Sequence, residues 1–194
     1  MADNNEIRQT KRTLIIGAPG TGKTTLLHRI LMQSGQKTLV ITPYMNEWTE
    51  KDSNGEELYP ELMTLRKKDC FYSGIRRHVF RKKYTLEHLE NFQRGIIVFD
   101  DCRGYLKSNL DEQIHTLLLG TRQNMIDVFA VAHGFREVPP AFFTFATDYF
   151  LFRTEDNLDR RANDVRCIDK VRQMQELVNR ESVNNPFAYE WFKL

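Results

Sequence analysis

Residues 17–24 combine three glycines with a lysine and a threonine at a spacing that suits phosphate binding. They fit the pattern G-x-x-x-x-G-K-[ST] at every fixed position. Glycines let a backbone curl around a polyphosphate with its N–H groups pointing inward. Lys23 is then placed to reach the β- and γ-phosphates, and Thr24 to bind Mg²⁺. The residues expected to hold a nucleoside triphosphate are Gly17, Ala18, Pro19, Gly20, Thr21, Gly22, Lys23, Thr24 and Thr25.

Two consecutive carboxylates, Asp100 and Asp101, are the second group whose chemistry suits this site. They follow the apolar run 96–99, which predicts a buried strand that delivers acids to its carboxyl end beside the phosphate loop. We expect Asp100 to bind Mg²⁺ through water and Asp101 to orient and polarise the attacking water. The alternative is that one of the two only caps the following turn.

The order of apolar segments predicts the framework that positions these groups. Short apolar runs suit strands, and runs with apolar residues at helical spacing suit helices. Strands are expected at 13–17, 37–42, 95–101, 125–132 and 148–153. Helices are expected at 22–33, from a cap at 108–111 to about 120, and at 155–180. This alternation predicts an α/β fold with a mainly parallel sheet of about five core strands and right-handed crossovers.

Composition limits how the chain is organised. Its 194 residues suffice for one α/β domain and are too few for two ordinary ones. We place that domain at 13–180, between a flexible leader at 1–12 and an aromatic tail at 181–194. The net charge of +2 favours no class of partner. Three widely spaced cysteines argue against a disulfide framework or a zinc site, and no apolar run is long enough to span a membrane.

Basic residues cluster within the segment 43–94, which follows the second expected strand. They alternate with aromatic and aliphatic side chains, a pattern that suits contact with nucleic-acid phosphates without sequence readout. The alternative is a solvated, charged face of an interface subdomain. We interpret the segment as a basic insertion. Its candidate DNA-binding residues are Arg66, Lys67, Lys68, Arg76, Arg77, Arg81, Lys82 and Lys83.

The expected nucleotide is ATP. Guanine recognition by small GTPases needs the sequence N-K-x-D, which the chain lacks. Two acids in succession after a buried strand are typical of ATPases that use a catalytic acid at that position. In such ATPases the acidic strand is not adjacent in space to the strand that precedes the phosphate loop.

Three segments give the chain a resemblance to a known family. GAPGTGKTT (17–25), GIIVFDD (95–101) and the block 121–156 are similar to motifs of the FtsK–HerA group of DNA-pumping ATPases. Within this group the chain resembles the small viral genome-packaging ATPases, with Zot-like phage ATPases as near relatives. The resemblance spans residues 13–156 and implies a three-layer P-loop NTPase fold of the RecA-like (ASCE) kind that binds ATP and Mg²⁺.

The third segment supplies further site residues by resemblance. In the family pattern, Arg122 would be an arginine finger that reaches the γ-phosphate of a neighbouring subunit, and His133 would be a polar sensor at the end of the fourth strand. Arg153, Arg160 and Arg161 are competing candidates for the finger. Arg122 could instead be a solvated residue that complements a helix dipole.

Two positions depart from the family pattern. Asp101 stands where the family usually has Glu, and its shorter side chain would hold water less directly. His133 stands where Gln or Asn is usual. A histidine can donate a hydrogen bond to phosphate or water but also titrates, and it could equally be a partly buried structural residue. We therefore expect slow or partner-dependent hydrolysis.

The resemblance implies ATP hydrolysis coupled to DNA movement. The expected protein is one subunit of a homo-oligomeric ring, a pentamer or hexamer, that packages double-stranded viral DNA in the host cytoplasm or on the virion. A capsid portal or vertex protein would be a further partner. The lack of a membrane segment after the ATPase domain favours packaging over Zot-like export. The alternatives are a small nucleotide or nucleoside kinase and a virion adaptor that binds ATP without hydrolysing it.

Overall fold

A central β-sheet organises the computed structural model, which describes residues 9–81, 86, 88–104 and 111–194. Within these ranges the sheet has seven strands in the order β3-β2-β4-β5-β1-β6-β7. β1 to β6 run parallel to their neighbours, and β7 pairs antiparallel with β6. The strands are β1 (Arg12–Ile16), β2 (Thr38–Thr42), β3 (Ile75–Val79), β4 (Gly95–Phe99), β5 (Ile126–Ala132), β6 (Asp148–Phe152) and β7 (Tyr189–Lys193).

Helices cover both faces of this sheet and produce a three-layer α/β fold. They are α1 (Lys23–Ser34), α2 (Asp111–Asn124), α3 (Pro140–Phe145) and α4 (Ile168–Glu181). Successive strand residues point to opposite faces, so the apolar strands contribute side chains to two hydrophobic cores, one on each face of the sheet. Leu26, Leu27 and Leu31 of α1 pack with Ile15 on one face. The other helices pack with Leu14 and its neighbours on the opposite face.

The sequence predicted the five central strands, and the structure adds one strand at each edge of the sheet. β3 lies inside the segment interpreted as a basic insertion and pairs with β2. β7 lies inside the segment interpreted as a tail and pairs with β6. The sheet of the described residues therefore contains the five expected core strands and two more at its edges, seven in all. The helix expected at 155–180 begins later, at Ile168, after a short 3₁₀ turn at Leu158–Arg161.

Some sequence expectations fall on residues outside the described ranges. These are most of the leader (1–8), Lys82 and Lys83 of the basic cluster, and positions 108–110 of the helix cap. Among the residues that are described, no helix has both the length and the apolar character needed to cross a membrane.

The register of the central strands brings four loops to one edge of the sheet. Ile16 pairs with Ala132 of β5 and with Leu151 of β6, while Phe99 of β4 pairs with Ala130 of β5. Because the strands are parallel, the residues that follow β1, β4, β5 and β6 all emerge at their shared carboxyl edge. β5 lies between β1 and β4, so the acidic strand is separated from the strand that precedes the glycine loop, as the sequence implies.

Candidate nucleotide site

The glycine loop after β1 leads directly into α1 with its backbone N–H groups uncapped. Gly22 immediately precedes the helix with φ 95°, a left-handed conformation that favours glycine, and no side chain caps the helix. The first N–H groups of an α-helix have no partner within the helix, so they can bind phosphate oxygens. Gly17 is needed for a different reason, because a Cβ there would clash with the side chain of Phe152.

Lys23 is buried within this loop and folds back over it. Its Nζ donates to the carbonyl oxygens of Gly17 at 2.7 Å and Ala18 at 2.9 Å. It also lies 3.3 Å from Nδ1 of His133, which must then act as the acceptor because an ammonium has only donors. Burial lowers the pKa of Lys23 to about 8, although Asp100 and Asp101 oppose this shift. A bound anion would therefore stabilise the buried ammonium of Lys23.

Asp100 is the buried carboxylate of the site, with 5% of its surface exposed. Its Oδ2 accepts a 2.7 Å hydrogen bond from the indole N–H of Trp48. Burial raises the pKa of Asp100, while the bond from Trp48 opposes the rise. The structure places Trp48 in the core against His28 and Tyr59, with a polar role in addition.

Asp101 is half-exposed and points its carboxylate at the cavity above the glycine loop. Its backbone has φ 43°, the left-handed region that Asp tolerates better than most residues. Its Oδ2 accepts a 2.5 Å hydrogen bond from the hydroxyl of Tyr44. That bond raises the pKa of Tyr44 to about 12, so the phenol remains a donor at neutral pH. Tyr44, which also lines the cavity, therefore orients Asp101.

Glu47 is a third carboxylate of this site that sequence reasoning missed. It lies in the polar loop after β2 and lines the same cavity as Asp100 and Asp101. Burial, followed by the charge of Asp100, raises the pKa of Glu47 to about 7. In the sequence it is one of several acids in a turn-rich segment, and only its position beside Trp48 could have marked it.

These groups share one cavity of about 320 Å³. Its polar lining includes Lys23, Thr24, Glu47, Asp100, Asp101 and His133. The structure thus brings together the lysine, the threonine and both acids that the sequence singled out. It also brings in His133, whose backbone N–H donates to Oε2 of Glu137 at 3.0 Å. Arg103 donates to the other oxygen of that carboxylate at 2.6 Å, so the loop after β5 is tied to the loop after β4.

The oxygen-rich wall of this cavity fits Mg²⁺. The Thr24 hydroxyl and the carboxylates of Asp100, Asp101 and Glu47 are all oxygen ligands, and the buried charge of Asp100 would be stabilised by a cation. No group of three or more His, Cys, Asp or Glu side chains among the described residues forms a metal-binding cluster. Mg²⁺ characteristically binds one or two protein oxygens and completes its shell with water and substrate phosphates.

Arg122 lies away from this cavity. It is exposed in the last turn of α2, just before β5 begins. His133 follows the other end of β5, so the seven-residue strand separates them by about 20 Å at the usual rise per residue. Arg122 therefore cannot reach the cavity of its own chain. Among the competing arginines, Arg153 lines a cleft beside the glycine loop, whereas Arg161 is hydrogen-bonded to Asp164 and to the carbonyl of Arg136.

The basic cluster divides between exposed and buried side chains. Arg66, Lys67 and Lys68 are exposed at a 3₁₀ turn, and Arg81 is exposed but bonded to Glu61 at 2.8 Å. Arg76 is half-buried on β3. Arg77 is 9% exposed, and its guanidinium donates to the carbonyl oxygens of Met45 and Glu47. Arg77 therefore anchors the loop that carries Glu47 and is not free to contact DNA in this arrangement.

The strand order and the position of the glycine loop define a P-loop NTPase fold of the kind in which one strand separates the loop strand from the acidic strand. No family model and no curated protein sequence matches the chain. Several solved structures match the chain in fold. The genome packaging NTPase B204 of Sulfolobus turreted icosahedral virus 2, in complex with AMPPCP, matches with a TM-score of 0.59 and 11% identity, over 95% of this chain and 92% of B204.

A second solved structure, that of B204, the DNA-packaging ATPase of Sulfolobus turreted icosahedral virus, gives the same TM-score of 0.59 at 13% identity. It covers 92% of this chain and 88% of B204. The N-terminal domain of zonular occludens toxin from Neisseria meningitidis matches with a TM-score of 0.46 at 15% identity, over 80% and 91% of the two chains. The likeness to B204 confirms the three-layer P-loop NTPase fold implied by the sequence.

Proposed function

We propose that this chain is an ATPase that moves DNA, acting as a subunit of a viral genome-packaging ring. One observation carries the proposal, namely that Lys23, Thr24, Asp100 and Asp101 converge in a single cavity at the carboxyl edge of the sheet. These are the groups that phosphoryl transfer needs for holding phosphates and orienting water. The fold shared with B204, a genome packaging NTPase, supports the same function.

The residues of the cavity divide the chemistry among them. The uncapped N–H groups of α1 and the ammonium of Lys23 bind the phosphates, with the lysine exchanging its bonds to Gly17 and Ala18 for phosphate oxygens. Thr24 and Asp100 would hold Mg²⁺, which neutralises phosphate charge. Asp101, oriented by Tyr44, is placed to position the attacking water.

His133 couples the phosphates to the neighbouring loops. Its ring lies beside Lys23, and its backbone is tied to Glu137 and through it to Arg103. When Lys23 turns towards phosphate, the ring of His133 loses its contact with Nζ and can donate to phosphate or water instead. The loop after β5 would therefore respond to the presence of the γ-phosphate.

A ring supplies what a single chain lacks. Arg122 is too far from the cavity to act within its own chain, so as an arginine finger it would stabilise the phosphoryl group transferred in a neighbouring subunit. The exposed Arg66, Lys67 and Lys68 are our candidates for contact with the DNA backbone, together with Arg76 and Arg81. The capsid portal remains the proposed docking partner.

The proposal is tested by steady-state ATP hydrolysis with and without double-stranded DNA, beside Lys23→Ala and Asp101→Asn. We expect turnover that DNA stimulates and that both substitutions abolish, with Asp101→Asn still binding ATP. Glu176→Gln, which changes an exposed acid of α4, is the matched control and should leave turnover unchanged. Phosphate transfer to a nucleotide acceptor without DNA dependence would support the kinase instead. ATP binding without any turnover would support the adaptor.

A further inference from the structure

A second cavity, of about 360 Å³, adjoins the candidate phosphate site on the outer side of α1. It is lined by Thr25 and Arg29 of α1, by Phe152 of β6, by Phe187 just before β7, and by Tyr189, the first residue of β7. Gly22 lines both cavities, as do Thr25 and Phe187. The two cavities therefore adjoin each other at the last glycine of the loop.

Phe187 lies directly over the glycine loop. A Cβ on Gly22 would sit 3.3 Å from Cδ1 of Phe187, so the ring contacts the loop at the residue where α1 begins. The side chain is nevertheless 60% exposed. A large apolar ring held against a phosphate loop, and open to solvent on its other side, has a free face for a planar ligand.

Tyr189 forms the second aromatic wall. Its ring contacts Phe152 at 5.2 Å and Phe150 at 5.9 Å between centroids, which fixes its position above β6, yet 41% of its surface is exposed. β7 brings it here by pairing Tyr189 with Phe152 at the carboxyl end of β6. The aromatic residues at the C-terminal end of the sequence are thus positioned by an edge strand, next to the loop.

We propose that this cavity holds the nucleobase of the bound nucleotide, with Phe187 and Tyr189 stacking on its faces. The inference rests on the proposed function to the extent that the glycine loop must bind a nucleotide. Phosphates bound at the amino end of α1 direct the rest of the nucleotide away from Lys23, and the adjoining cavity begins at Thr25. The guanidinium of Arg29, one turn further along α1, is placed at its rim as a planar donor.

The chemistry of the lining fixes how the base is recognised. None of the described residues that line the cavity has a carboxylate or carboxamide side chain, so the side-chain groups there that can contact the edge of a base are hydroxyls and the guanidinium of Arg29. Aromatic rings bind any base through its face. Recognition here therefore uses stacking and apolar contact, with Arg29 as the one charged group in the lining.

The test compares ATP with inorganic tripolyphosphate, each in the presence of Mg²⁺, because only ATP has a base. We expect Phe187→Ala to weaken ATP binding about 5- to 150-fold, the range typical of one lost stacking contact. Tyr189→Ala should act in the same direction. Neither substitution should change the affinity for tripolyphosphate by more than about twofold, since the phosphate-binding groups are untouched.

Trp191→Ala is the matched control. Trp191 is an exposed aromatic on the same face of β7 as Tyr189, but it does not line the cavity. Its removal should leave both affinities unchanged. Phe187→Trp should retain ATP affinity. The indole fluorescence that it adds to that of Trp48 and Trp191, measured against the wild type, should be quenched by ATP and not by tripolyphosphate, a signature that packing alone would not produce.

Two results would overturn the inference alone. In the first, Phe187→Ala weakens both ligands equally, which would mean that the ring only supports the loop at Gly22. In the second, neither Phe187→Ala nor Tyr189→Ala changes ATP binding, which would assign this surface to another contact. A wild-type protein that binds neither ligand would contradict the nucleotide site itself. Binding of ATP without hydrolysis would contradict only the proposed ATPase activity and leave the base site intact.

Discussion

The indole N–H of Trp48 donates a hydrogen bond of 2.7 Å to Oδ2 of Asp100. This bond joins the loop after β2 to the acid after β4, two strands that are neighbours in the sheet. It occupies one carboxylate oxygen of Asp100, whose carboxyl group also shares a hydrogen bond with Glu47. The position of the proposed Mg²⁺ ligand is therefore set by a residue far from it in sequence.

Trp48→Phe should impair hydrolysis more than it impairs folding. Phenylalanine can keep the ring contacts with His28 and Tyr59 but cannot donate to Asp100. A hydrogen bond to a charged group contributes about 1.5–3 kcal/mol, so we expect kcat to fall roughly 10- to 100-fold while ATP affinity changes little. Kinetics at saturating Mg²⁺ and ATP measure this. Tyr59→Phe, which alters the same ring cluster without touching Asp100, serves as the control, and an unchanged kcat for Trp48→Phe would refute the positioning role.

Asp100→Asn should stabilise the protein when Mg²⁺ and nucleotide are absent. Burial raises the pKa of Asp100, and the pKa of its neighbour Glu47 is raised to about 7. The folded protein thus holds a proton that the unfolded chain has lost above about pH 4.5, and its stability from this pair falls as pH rises towards 7. Asparagine removes one of the two charges and still accepts from Trp48.

Thermal unfolding in EDTA between pH 5 and pH 8 measures that effect. The difference between Asp100→Asn and wild type should be small at pH 5 and grow to about 0.5–2 kcal/mol at pH 8, the usual range for a single stabilising substitution. Glu176→Gln, on the exposed side of α4, should show no such growth. A destabilised Asp100→Asn at pH 8 would mean that the carboxylate is stabilised by partners other than a cation.

The sequence predicted the central strands and the phosphate loop because the local order of residues determines both. Buried parallel strands appear as short apolar runs, and the loop needs its glycines at fixed positions. β3 was missed because its sequence, Ile75–Val79, contains two arginines and a histidine. Arg77 is nonetheless buried because backbone carbonyls of the neighbouring loop accept its hydrogen bonds. Such compensation depends on tertiary contacts and leaves no pattern in the sequence.

The sequence predicted the motif residues of the site but not the residues that tertiary contacts bring to them. Lys23, Thr24, Asp100 and Asp101 each follow from a motif, and the cavity contains all four. Glu47 and Phe187 could not be found in this way. Glu47 reaches the cavity through the loop after β2. Phe187 reaches it because β7 adds to the edge of the sheet at β6. Both placements depend on strand pairing between distant parts of the chain.

ATP affinity should fall as the pH rises above about 8. In the free protein burial lowers the pKa of Lys23 to about 8, so the ammonium loses its proton above that pH. Bound phosphates favour the charged form and raise the pKa again, so binding takes up a proton and weakens by up to about tenfold per pH unit. Titration calorimetry at pH 7.5 to 9.5, in two buffers of different ionisation enthalpy, measures both affinity and proton uptake.

Lys23→Arg separates this titration from other effects of pH. A guanidinium stays charged throughout the range, so this variant should bind ATP with an affinity that is independent of pH between 7.5 and 9.5, even if binding is weaker overall. If Lys23→Arg shows the same decline as wild type, another group is responsible and the assignment to Lys23 fails.

Mixing two inactive variants tests whether Arg122 acts between subunits. Lys23→Ala cannot bind phosphate but retains Arg122, whereas Arg122→Ala retains the complete cavity. Loss of an arginine finger lowers kcat by about 10³–10⁵, so each variant alone should be nearly inactive. In a mixed ring, a cavity from one variant meets Arg122 from the other at about a quarter of the interfaces if assembly is random, and activity should return to roughly that fraction.

The control for this experiment is a mixture of Lys23→Ala with Arg180→Ala, which changes an exposed arginine in the last turn of α4. Arg180→Ala should be active alone, and mixing should only dilute it. An active Arg122→Ala would show that Arg122 is merely a solvated residue at the end of α2. Inactivity without recovery on mixing would contradict action in trans. Because β5 separates Arg122 from the phosphates of its own chain, recovery on mixing is the outcome that the fold requires of an arginine finger at this position.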